Sequence, residues 1–67
     1  MDDTAHMLAT TTDVDAARAT IAGLSGPQLR AVANQLGIHL YGTVARQRKA
    51  LLYWGVERRL DAAAIRG

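Results

Sequence analysis

Sixty-seven residues with a formal charge of +2 and no cysteine leave room for one small domain that no disulfide or thiolate metal site supports. A chain of this size buries roughly 60% of its unfolded surface, so tight helix packing or self-association must supply the stability that staples would give. No apolar run approaches the roughly 20 residues that span a bilayer, and the acidic start MDDTAH lacks a basic leader; the expectation is a cytoplasmic protein without a membrane partner.

The charge is unevenly placed. Residues 1–24 carry Asp2, Asp3, Asp13 and Asp15 against Arg18, and residues 25–67 carry seven cations against Glu57 and Asp61. The first part sums to −3 and the second to +5. Such asymmetry points to a polyanionic partner, or to attraction between the two halves within the fold or across a dimer.

Residues 1–11 show no sustained period and read as a flexible tail, leaving residues 12–67 as a single helical domain. Thr12-Asp-Val-Asp resembles a capping box with Asp in place of Glu or Gln. Val14, Ala17, Ile21 and Leu24 then recur at helical spacing, with Asp13 and Asp15 where the helix dipole favours anions. This predicts a helix over 13–22, with Gly23 as a left-handed C-cap.

Ser25-Gly26-Pro27 starts a second helix over 26–36. Ser25 caps, and Pro27 sits where its missing N–H is harmless. Leu29, Val32, Ala33 and Leu36 form one stripe, and Gly37 ends it with Ile38 as hydrophobic partner. Residues 38–43 carry no helical stripe and read as an extended loop.

The start of the third helix turns on Arg48. At about 100° per residue, a helix from Thr43 would aim Arg48 into the core, and a buried unpaired guanidinium is costly. The helix is therefore expected from Lys49 onward, with Leu52, Val56 and Leu60 inward and Leu51 and Gly55 beside them. Gly55 costs about 1 kcal/mol relative to Ala in a helix, which a close helix–helix approach would explain. The run from Asp61 either continues this helix or caps a final turn. The class is all-α: a small three-helix domain around a helix–extended loop–helix core.

Catalysis finds no support. The single serine, Ser25, is a helix cap, and His6 and His39 lie far apart without a carboxylate at a useful spacing. No metal-ligand cluster, phosphate loop or dinucleotide fingerprint is present, so no metal, cofactor or enzyme is expected. The constellation that stands out is Arg46, Arg48 and Lys49 at the expected helix start. Helix N-termini favour phosphate, cations on phosphates release counterions, and Gly42 allows close backbone approach while Tyr41 and Thr43 supply donors. Cations there oppose the dipole, a local conflict that hints at function. The alternative is a solvated face or a protein interface. Arg30 is either a surface residue or a further phosphate contact. Arg58 and Arg59 read as solvated or snorkelling. Trp54 either covers the first helix or stays exposed as an anchor for a protein partner or a platform for bases.

LSGPQLRAVANQLGI, a glycine-containing loop, and ARQRKALLYWGV together resemble the helix–extended loop–helix modules, among them the SAP domain and the N-terminal domain of transcription termination factor Rho. Leu29, Arg30, Val32, Ala33, Leu36, Gly37 and Ile38 match the first part of the pattern, and Arg46, Arg48, Lys49 and Leu52 the second, over about residues 24–58. The chain departs from it at Leu51, where the Rho-like pattern tends to carry an acid, and in a loop longer than a typical SAP domain's. The resemblance implies a non-enzymatic module that binds nucleic acid, DNA before RNA, in the nucleoid and in transcription regulation. It implies Arg46, Arg48 and Lys49 as contacts, with Arg30, Tyr41, Gly42 and Thr43 beside them. Related folds also bind proteins, so a protein partner or a homodimer is the alternative.

Overall fold

A computed structural model describes residues 3–66, the side chain of residue 66 excepted. The helices are α1 (Thr4–Thr10), α2 (Val14–Ala22), α3 (Gly26–Leu36), α4 (Val44–Leu52) and α5 (Arg58–Arg66), with a π-helical turn, Tyr53–Glu57, joining the last two. The architecture is all-α, and no strand occurs among the described residues. Since α4, the π turn and α5 follow without a break, the described residues comprise four helical segments rather than three.

The α3 boundaries fall at Gly26 and Leu36 because both end signals are local. Ser25 Oγ accepts from Gln28 N–H at 3.4 Å, and Gln28 Oε1 accepts from Ser25 N–H at 2.9 Å, closing a capping box. At the other end Gly37 takes φ 72°, the left-handed region that a side chain disfavours. Ile38 N–H donates to Ala33 O and Gly37 N–H to Asn34 O, a Schellman pair. Leu29, Val32 and Ala33 are buried on the inward face.

For α2 the cap is Asp13, one residue later than the Thr12 expected from the pattern: Asp13 Oδ1 accepts from Ala16 N–H at 3.1 Å. Gly23 is right-handed, with φ −85°, so the helix ends without the expected left-handed glycine. Ala17 and Ile21 face the core.

Two larger differences have non-local causes. The stretch expected to be a flexible tail forms α1, with Leu8 fully buried and Ala5 nearly so. A seven-residue helix is not stable alone; it is held by packing and by Arg59, whose Nη2 donates to Leu8 O at 3.1 Å and to Thr11 O at 2.6 Å. Arg59, expected to be solvated or snorkelling, thus satisfies the carbonyls that end α1. Residues 1 and 2 of the expected tail lie outside the described residues.

The helix expected from Lys49 begins instead at Val44, capped by Thr43, whose Oγ1 accepts from Arg46 N–H at 3.2 Å. Arg48 does point inward, half-buried, but it is not unpaired: its Nη2 donates to Leu24 O at 3.1 Å, in the link between α2 and α3. The guanidinium is therefore partly compensated: Nη2 has the Leu24 carbonyl, while the buried Nε has no hydrogen-bond partner among the described residues. The buried polar residue on this helix is Gln47, whose Nε2 donates to Gly42 O at 3.0 Å.

The π turn shifts the inward stripe by one residue. Arg58 N–H donates to Tyr53 O, five residues back. The fully buried positions are accordingly Leu51 and Val56, five apart, while Leu52 and Leu60 pack at the margin. Gly55 needs no close helix approach: a Cβ there would meet Ile38 Cδ1 and Leu36 Cδ1 at 3.7 Å, ordinary contact. The run from Asp61 continues the helix as α5.

Candidate nucleic-acid interface

The core described above presents α4 with its inner side against α2 and α3. Helical geometry then sends Arg46 and Lys49, three residues apart, to the outer side, where both are exposed. Arg48 is separated from them by the same geometry. The sequence trio is split into two outward cations and one inward cation that ties α4 to the end of α2.

The extended loop prepares the start of α4. Gly42 adopts φ 79°, and a Cβ there would lie 3.1 Å from Arg46 Cδ, so the Arg46 side chain runs back along the loop. Gln47 fixes the Gly42 carbonyl from below, and Thr43 caps the helix. Tyr41 is 77% exposed beside this corner. Arg30, exposed on α3, reaches the same region: its Nη1 and Val44 Cγ2 both approach the Cβ position of Gly26, at 3.8 and 3.7 Å. The structure thus brings Arg30, Tyr41, Gly42, Thr43 and Arg46 around the start of α4, with Lys49 one turn further along. Lys49 also borders a shallow, mostly apolar groove with Arg18, Ile21, Arg48 and Leu52.

The segment that carries these cations is free of acid. Residues 25–56 contain no Asp or Glu. Among the described residues the ion pair formed is Arg18–Asp15 on exposed α2, at 2.9 Å. Among the described residues Arg30, Arg46 and Lys49 have no carboxylate partner of that kind.

Trp54 does not cover α2. It is 49% exposed and lines a hollow of about 370 Å³ with Leu36, Gly37, Ile38, His39 and Arg58. The Arg58 guanidinium lies 4.9 Å from the indole centroid, and Tyr53 meets the ring edge-on at 5.1 Å. Sequence reading missed this Arg58–Trp54 pair, although their i, i+4 spacing was a usable signal.

No group of His, Cys, Asp or Glu suited to a metal ion occurs among the described residues, and no described helix is long and apolar enough to cross a membrane. No family model matches the chain, and no curated protein or solved structure matches it.

Proposed function

We propose that this chain is a small, non-enzymatic nucleic-acid-binding module that holds backbone phosphates with Arg30, Arg46 and Lys49. Tyr41 and Thr43 contribute hydroxyl donors, and the turn at Gly42 lets the Arg46 side chain lie back along the loop. DNA is the expected partner before RNA, placing the protein with the nucleoid as a transcription regulator of the SAP-like and Rho-like kind. Arg48 is left out of the contact set because its guanidinium serves the Leu24 carbonyl.

The observation that carries this reading is the acid-free segment 25–56, whose exposed cations form no ion pair among the described residues. A surface evolved only for stability would intersperse carboxylates among them. Replacing Arg46 and Lys49 together by Ala tests the reading. With the helical circular dichroism unchanged, the double variant binds DNA more weakly, and its salt slope shrinks by about 1.5–2, close to one unit for each phosphate no longer neutralised. Unaltered affinity and slope in a folded variant would defeat the proposal.

A second reading, a protein-binding module or homodimer, is favoured by the exposed apolar side chains of Tyr53, Trp54 and Ile65. Sedimentation that shows a stable dimer dissociated by Trp54→Ala, without DNA affinity, would select it.

A further inference from the structure

The hollow beside Trp54 is not isolated. Ile38 and His39 line both it and a second hollow of about 180 Å³ whose other wall includes Arg30 and Asn34. The start of the extended loop is therefore flanked by Arg58 and Trp54 on one side and by Arg30 on the other. Arg30 approaches Gly26 alongside Val44, the first residue of α4, which leads on to Tyr41 and Arg46. Arg58, Trp54, His39 and Arg30 thus border two adjoining hollows, with Tyr41 and Arg46 further along the loop, and all six are exposed. Cations and flat rings are interleaved there, the combination that tracks a phosphate backbone while offering faces to unstacked bases.

The indole is also held in place before any ligand arrives. Tyr53 abuts its edge and Arg58 lies over it, so stacking costs little side-chain freedom. At about 370 Å³ the hollow falls within the range of small-ligand sites. A duplex keeps its base faces inside the stack; a single strand presents them. We propose that this region is a single-strand site, in which a base stacks on the face of Trp54 that Arg58 leaves free while Arg30 and Arg46 hold the neighbouring phosphates. The inference rests on the phosphate-binding reading above and specifies the form of nucleic acid.

Trp54 is the sole tryptophan, so fluorescence excited at the red edge, where Tyr41 and Tyr53 do not absorb, reports on this ring. The full chain is titrated with oligodeoxythymidylate, with a duplex of equal length, and with inorganic polyphosphate, an anion without bases. The expected result is saturable quenching by the single strand, little by the duplex and none by polyphosphate. Trp54→Ala weakens single-strand binding, followed by anisotropy of a labelled oligonucleotide, by at least about fivefold, whereas Trp54→Phe retains most of the affinity. Salt-sensitive binding of the oligonucleotide without quenching, or equal quenching by all three ligands, would overturn the stacking site while leaving phosphate binding intact. Absence of binding to any of the three would remove the underlying reading as well.

Discussion

Replacing Arg59 by Ala tests whether α1 is clamped from the far end of the chain. Nη2 donates to Leu8 O and Thr11 O, at 3.1 and 2.6 Å. Hydrogen bonds from a charged donor contribute about 1.5–3 kcal/mol each. Here one nitrogen serves both acceptors and the side chain is only half-buried, so about 2 kcal/mol for the pair is the appropriate magnitude. Burying Leu8 contributes a comparable amount, about 1.5–3 kcal/mol. Loss of Arg59 therefore removes a large share of what docks α1, and the helix should open locally before the domain unfolds. Amide hydrogen exchange of Arg59→Ala is expected to be about 30-fold faster from Leu8 to Thr11, with α3 amides changed much less. Arg59→Met retains the apolar stem and should show nearly the same effect. A change below about threefold in α1, or equal acceleration in α1 and α3, would refute the clamp.

Arg48 and Arg46 should separate stability from binding. Arg48→Ala loses the bond to Leu24 O and should cost about 2 kcal/mol in denaturant unfolding, with the salt slope of DNA binding unchanged. A slope reduced by as much as in Arg46→Ala would show that Arg48 reaches phosphate after all. Gly55→Ala should stabilise the domain by about 0.5–1 kcal/mol, because the added Cβ meets Leu36 and Ile38 at an ordinary 3.7 Å. The matching rise in Tm is about 2–8 °C; a fall would mean that the π turn requires glycine.

The parts of the fold legible in the sequence are those with local causes. Ser25, Gln28, Pro27 and Gly37 each act on groups within a few residues, and α3 follows from them. The stripe of α2 is legible for the same reason. By contrast, α1 depends on Arg59, 48–51 residues away from the carbonyls it serves. No periodicity in seven residues with two buried positions could reveal it. The start of α4 is hidden in the same way: burying Arg48 is costly only without a partner, and Leu24 O, which supplies one, lies 24 residues distant. The π turn likewise moves the buried position from Leu52 to Leu51, a shift that a fixed helical period does not contain. Among the site residues, outward placement of Arg30, Arg46 and Lys49 follows from composition and spacing. The hollow bordered by His39, Trp54 and Arg58 requires knowing how the loop lies against the π turn.

Whether the exposed cations around the loop hold phosphates is read most simply from the salt dependence of the wild-type chain. Three contacts on a single strand predict a slope of log Kobs against log salt of about −2. A slope near zero, with affinity unchanged between about 50 and 200 mM salt, would show that they do not.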